Sequence, residues 1–299
     1  MIGYYLLRTC SWLIHKMPRR VLYFHSDIFF IVVFYLVRYR RGVVDKNLAN
    51  SFPEKTINER YTIAKGFYHH FCDTFLETLY FDRISVSEGT NCVKYLNPEL
   101  PNSYLDQGRE VLVFLGHYNN WEWFANWPLY SKHRFYAIYK KLKNKDFELF
   151  YINLRSKFGT IPLERADTFR QLYNDHQKGI SSLAAFIFDQ VPRINEIQHW
   201  ITFLNQDTPT VLGAEKVAQK LDSVVVFLHS RKIKRGQYEA TYHLVTDHAG
   251  ACPKFEITDK CMGLLEQQII NQPEFWLWSH KRWKHDHAKI EQDKLLKNS

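Results

Sequence analysis

The sequence predicts an α/β fold: a mainly parallel central sheet flanked by helices, preceded by an N-terminal helical segment that associates with a membrane. Three observations carry this. Short, continuous apolar runs recur from residue 110 onward, as EVLVFL (110–115), FYAIY (135–139), LAAFIF (183–188) and SVVVFLH (223–229). Such runs suit strands buried on both faces. Helical patterns lie between them, and strands alternating with helices imply parallel pairing through crossovers. The first forty residues differ from all of this, being apolar, aromatic and basic.

Taken in order, residues 21–37 (VLYFHSDIFFIVVFYLV) form an apolar run interrupted by His25, Ser26 and Asp27. As a helix it spans about 25 Å, slightly short of a bilayer core. Basic residues flank both ends, so charge asymmetry assigns no orientation. Arg8 breaks the first apolar stretch, and KMPRR stands where a signal peptide would place small residues. Residues 1–41 therefore read as an uncleaved membrane-associating segment, either a short anchor or interfacial helices. Residues 42–299 read as the globular domain.

SFPEKTINE (51–59) is a turn leading into a helix, with Thr56 and Glu59 spaced as a capping box. Ile57, Tyr61, Ala64, Tyr68, Phe71, Phe75 and Leu79 continue it at steps of three and four to about residue 80. His69 and His70 lie on this helix and read as structural or exposed histidines. Farther on, Phe147, Phe150, Tyr151, Leu154 and Phe158 share one helical face, and Val211, Ala214, Val217, Ala218 and Leu221 share another. YEATYHLVT (238–246) alternates and reads as a more exposed strand.

Composition narrows the partners. Of 299 residues, 45% are hydrophobic and 16% aromatic, and the net charge is +9. Aromatic side chains with polar tips suit a membrane boundary. The basic clusters KMPRR, RYRR, KKLKNK, RKIKR and HKRWKH attract polyanions, whether nucleic acid, anionic lipid or phosphorylated small molecules; the plainer reading is a set of solvated faces. Five cysteines without a CxxC spacing argue against a zinc site or a disulfide framework and fit a reducing compartment. HDH (285–287) reads as a solvated tail rather than a metal site.

In a parallel sheet the site lies beyond the carboxyl ends of the strands. GHYNNWEW (116–123) follows directly on VLVFL. Gly116 permits a tight turn there, His117 is delivered at the strand end, and NNWEWFANW can start a helix with Asn119 or Asn120 as N-cap. Within one helix, residues five apart point about 140° from each other. A histidine in the turn and Glu122 in the first helical turn can meet, with the glutamate holding one ring nitrogen and the other left as a base. The spacing alone also fits an ordinary strand–turn–helix junction. Asp189 and Gln190 end the LAAFIF strand, Ser230 and Arg231 follow VVVFLH, and Arg155 lies near a helix end. Asp189 and Arg155 read equally as caps. GxSxG, P-loop and GxGxxG motifs are absent, which removes the main support for a serine hydrolase, an NTPase or a dinucleotide enzyme.

These blocks together resemble the late acyltransferases of lipid A biosynthesis, of the lauroyl/myristoyl type, within the lysophospholipid acyltransferase-like group. GHYNNWEW is similar to the family's H-x4-[DE] block. YKKLKNKDFELFYINLRSKFG resembles the next, whose arginine maps to Arg155. FIFDQVP resembles its Asp-Gln block, WITFLNQDTPTVLGAEKVAQKLDSVVVFLHSRK its substrate-wall segment and PEFWLWSHKRWK its tryptophan–arginine signature. Asn119 and Asn205 depart from it where glycine is common, the first bearing on the turn and the second on the acyl or acceptor pocket.

The resemblance implies a glycerolipid acyltransferase-like fold and transfer of a fatty acyl group from acyl carrier protein, or coenzyme A, to a hydroxyl of a lipid A precursor. His117 would act as base with Glu122 orienting it, and Gly116, Arg155, Asp189, Gln190 and Arg231 would serve the substrate or oxyanion. The resemblance implies no metal or redox cofactor and no nucleic-acid partner. The basic clusters would meet glycolipid phosphates and the acidic carrier, and Trp276, Trp278 and Trp283 would lie at the headgroup boundary or pack in the C-terminal core. The place would be the cytoplasmic face of a bacterial inner membrane. The rival acceptors are other polar lipids, an amino-acid lipid or a glycosylated phosphoinositide. A thioesterase and a noncatalytic membrane-binding protein are the rival classes.

Overall fold

The four apolar runs become four neighbouring strands of one sheet. The structure, a computed structural model, describes residues 2–290; residues 291–299 of the expected globular domain lie outside them. In chain order the elements are α1 (Ile2–Lys16), α2 (Arg19–Ile31), α3 (Arg41–Ser51), α4 (Ile57–Phe81), α5 (Val86–Cys92), β1 (Val93–Tyr95), α6 (Glu99–Asp106) and β2 (Val111–Leu115). Then come β3 (Arg134–Tyr139), α7 (Lys145–Ser156), β4 (Ile161–Glu164), α8 (Thr168–Gln177) and β5 (Ser182–Ile187). The last are β6 (Trp200–Phe203), β7 (Gln206–Pro209), α9 (Gly213–Leu221), β8 (Val224–Lys234), β9 (Gln237–Thr246) and α10 (Glu256–Asn271).

The main sheet runs β1-β9-β8-β2-β5-β3-β4. Strands β8, β2, β5, β3 and β4 are mutually parallel, while β9 pairs antiparallel with β8. Strand β2 shows why VLVFL reads as a buried run. Leu112 and Phe114 enter the core on one face with Ala184, Val225 and Phe227, whereas Val111, Val113 and Leu115 enter the core on the other with Leu183, Val224 and Val226. Period-two side-chain alternation feeds two hydrophobic layers, so no position on the strand is free to be polar.

Helix α4 has the expected capping box, with Thr56 Oγ1 accepting from the Glu59 amide and Glu59 Oε2 accepting from the Thr56 amide. Its apolar stripe is only partly core, since Ile57, Tyr61 and Phe75 are exposed. A polar face bearing His70, Asp73 and Glu77 is buried instead. The N-terminal helices explain this: α2 packs on α4, and α1 packs on α4 and α7. Ser26 donates to Asp73 and Tyr23 to Glu77, while Lys232 and Arg235 from the β8–β9 hairpin close on Asp73. Helix α2 runs on through a π-helical stretch, Val32–Val37, and Arg19–Val37 is long and apolar enough to cross a membrane by length and composition.

Candidate active site

The turn after β2 is built by close packing. Gly116 does not adopt a left-handed backbone; a Cβ there would stand 2.6 Å from the Leu265 side chain and 3.3 Å from Asp189 Oδ2. Space, rather than turn freedom, requires the glycine. The left-handed residue is Asn119, at φ 55°, which explains why glycine suits that position and asparagine tolerates it. The segment after α10 straps the turn in place: the Asn119 N–H donates to the Phe275 carbonyl (3.0 Å), and the Leu277 N–H donates to the His117 carbonyl (3.2 Å).

His117 Nδ1 lies 2.6 Å from Asp189 Oδ1, and the His117 backbone N–H donates to Asp189 Oδ2 at 2.8 Å. Strand β5 is the neighbour of β2, in register to Leu115–Ile187, so the residue two beyond β5 is carried to the residue two beyond β2. Trp276 Nε1 donates to the same Oδ2 at 2.8 Å. Burial alone would raise the Asp189 pKa; the adjacent His117 charge and these hydrogen bonds outweigh it and lower the pKa to about 2. The carboxylate thus stays ionised and accepts the hydrogen bond from Nδ1–H, leaving Nε2 as the acceptor. Gln190 places its carboxamide nitrogen 3.1 Å from Nε2, and the Trp121 ring stands edge-on to the imidazole at 5.0 Å.

Glu122 does not hold the imidazole, contrary to the pairing inferred from H-x4-E. The chain after Asn120 winds as a 3₁₀ helix, Trp121–Leu129, and Glu122 forms a two-pronged ion pair with Arg155 of α7. The distances are 2.9 Å from Nε and 2.7 Å from Nη2. Burial alone would lower the Arg155 pKa, but the facing carboxylate raises it, so the guanidinium stays charged. Arg155 is therefore no helix cap; it lies between Glu122 and the Tyr139 and Tyr151 rings. Asn120 does stand at the N-cap position of the 3₁₀ helix, but its side chain makes no capping bond and donates to Glu77 instead.

Beside the dyad runs a groove with a cavity volume of about 130 Å³. Phe67, Phe71 and Phe75 of α4 form one wall, Tyr151 and Phe275–Leu277 contribute to others, and Glu122 and Asn119 add polar atoms. His117 is not itself part of the groove lining; Trp121, edge-on to its ring, and Trp276, which donates to Asp189, both line the groove and stand between it and the dyad. The aromatic lining suits an apolar ligand.

Several expected site residues lie elsewhere. Arg231 is exposed, paired with Glu239 at 2.7 Å, and lines a separate groove with His229, His243 and Gln267. Two members of RKIKR, Lys232 and Arg235, turn inward to Asp73, and Arg282 of HKRWKH is fully buried, so these clusters are not simply solvated faces. Trp276 and Trp278 are core residues rather than headgroup contacts. His285 and His287 bond to the Pro192 carbonyl and to Asp207. Asn205 lines neither groove; Leu204 and Asn205, both at positive φ, form the two-residue turn between β6 and β7, where glycine is usual. The role of Trp276 as a second donor to Asp189 escaped the sequence reading. Its only signal was the WLW block itself.

An α/β sheet thus carries a carboxylate-held histidine to a turn beside an aromatic-walled groove, the geometry that general-base chemistry asks for. The chain belongs to the bacterial lipid A biosynthesis acyltransferase family, whose sequence profile matches residues 1–285. No curated protein matches it.

Proposed function

We propose that the protein transfers a fatty acyl group from a thioester donor, acyl carrier protein or acyl-CoA, to a hydroxyl of a lipid A precursor at the cytoplasmic face of the inner membrane. The observation that carries the reading is the His117–Asp189 contact at 2.6 Å beside the aromatic groove. The acceptor hydroxyl takes the place of the Gln190 amide at Nε2, and His117 removes its proton. The freed oxygen attacks the thioester carbonyl, a C–O bond forms, and the C–S bond breaks as the imidazolium returns the proton to the thiolate. Asp189 fixes the ring and offsets its positive charge.

Glu122, which lines the groove, holds Arg155 behind it, and Arg155 is a cation placed to offset developing negative charge or an acceptor phosphate. The His117 and Asn119 backbone N–H groups already have partners and do not serve the oxyanion.

The test is product analysis. The purified full-length chain is given an acyl carrier thioester or acyl-CoA with a lipid A precursor, and mass spectrometry should find the precursor gaining one ester-linked chain. Free fatty acid alone, unaffected by acceptor, would make it a thioesterase. A deletion strain whose lipid A is unchanged while another polar lipid loses a chain would move the acceptor to that lipid.

A further inference from the structure

The stretch Arg19–Val37 satisfies the length and composition of a membrane span. Its side chains argue for another arrangement. We propose that α1 and α2 lie in the plane of an anionic bilayer, with one face in the lipid and the other fixed to the globular body, so that the groove opens sideways into the membrane.

The inward face of α2 sets Leu22 and Phe30 into the core and carries polar groups that are all engaged. Tyr23 donates to Glu77 at 2.9 Å and Ser26 to Asp73 at 2.8 Å, while Asp27 receives Arg235 at 2.6 Å and His69 at 3.0 Å. Helix α1 is held likewise: Ser11 donates to Asp82 and to the Leu79 carbonyl, and Arg8 pairs with Asp82. A spanning α2 would give up every one of its contacts and place Asp27 near the middle of the hydrocarbon, where an unpaired carboxylate is strongly disfavoured.

The outward face is apolar. Val21, Phe24, Ile28, Ile31 and Tyr35 are exposed at alternating steps of three and four, and Leu6 and Leu13 extend the patch onto α1. Helices that bury polar atoms against their own protein and present an apolar stripe outward suit an interfacial seat.

Charge and continuity identify what covers this face. Residues 1–44 hold seven Lys or Arg against one Asp. Lys16 and Arg20 at the bend, and Arg38 and Arg40 beyond the π-helical stretch, are exposed at the two ends of the stripe. Those positions match anionic headgroups. The patch also runs into the groove: Phe29 meets Phe75 at 5.6 Å, Tyr39 stacks on Phe71 at 5.9 Å, and Phe71 and Phe75 line the groove wall. Only the direction of lipid access rests on the groove's being the lipid site; the seating does not.

Sidedness tests the proposal on the full chain in sealed vesicles, with Cys10 and Cys252 replaced by Ser and an impermeant maleimide as the probe. Single cysteines go in at Lys16→Cys in the bend, Gly42→Cys after the segment and Lys178→Cys on the body. All three should react from one side. Lys16→Cys reacting from the opposite side would mean that α2 crosses, and would overturn the proposal.

Binding gives a second readout. A Phe24→Glu/Ile28→Glu variant should bind phosphatidylglycerol-containing vesicles at least about tenfold more weakly, the loss expected when an amphipathic helix loses its apolar anchor, and should turn over detergent-solubilised substrate as the parent does. Unchanged vesicle binding would overturn the seating. So would conversion of a dimer to a monomer with vesicle binding intact, which would assign the face to a second copy. Neither readout requires acyl transfer, so a wrong substrate assignment would leave them standing.

Discussion

Two buried charge clusters lie on opposite sides of the turn after β2, and they differ in one respect. Around Asp73 every strong group is matched: Ser26, Lys232 and Arg235 surround its carboxylate, and nearby Glu77 accepts from Tyr23, Asn120 and Tyr238. Around Asp189 the carboxylate is equally well held, yet the chain of bonds ends at His117 Nε2, whose partner is an exposed glutamine amide. Both clusters shift pKa values strongly. Only the second ends on a ring nitrogen held by an exposed side chain beside a groove, which the proposed function takes as the base. A perturbed carboxylate marks a site when its network terminates in a replaceable bond; when the network closes on itself, it is scaffold.

The contrast breaks most sharply at His117. The His117→Ala variant should lose acyl transfer by about 10²–10⁴-fold while its circular dichroism and melting temperature stay near the parent's. Turnover within a few-fold of the parent would remove the imidazole from the mechanism. Asp73→Ala should do the reverse, costing about 3–5 kcal/mol of stability by leaving Lys232 without a carboxylate and Arg235 with Asp27 alone. Urea unfolding would read this, and a stable Asp73→Ala protein would show the cluster to be dispensable.

Smaller effects sharpen the comparison. Glu122→Gln keeps the shape of the Glu122–Arg155 pair and removes its charge. It should slow transfer by roughly 10–100-fold, the range of a lost charge-assisted hydrogen bond, with a stability loss of about 1–3 kcal/mol. Steady-state kinetics would check it, and an unchanged kcat would reduce the pair to wall structure.

An effect confined to acid pH belongs to His70, which lines the groove while its Nδ1 lies 3.2 Å from Lys232. Burial, and then the Lys232 charge, lower its pKa from 6.5 to about 3, with Asp73 opposing. As pH falls below 6.5 the unfolded chain takes up a proton that the folded chain refuses, so stability is lost progressively toward pH 3. His70→Gln should flatten the acid side of the stability profile in that window, as read by melting temperature against pH. An unchanged profile would show that His70 is not the group refusing the proton.

Much of the fold was legible because burial on both faces leaves a local trace. VLVFL and its three companions are strands for a reason written in their own residues, and the Thr56–Glu59 box marks its helix start in four positions. Strand β4, the β6–β7 hairpin and α10 carry weaker signals, since their stability comes from what they pack against. Ile57 and Phe75 followed the helical period and still face outward, because α4 turns a polar face to the N-terminal helices.

The sequence by itself determined the class of protein: the strands, the helix starts, the histidine at a strand's carboxyl end and the ordered blocks of an acyltransferase family. Tertiary structure alone decided which carboxylate serves that histidine. Glu122 is five residues away and goes to Arg155; Asp189 is seventy-two residues away and takes Nδ1, because β2 and β5 pair in parallel and end together. Spacing along a chain fixes only local geometry, whereas partners across a sheet are set by strand order and register, which no short motif encodes.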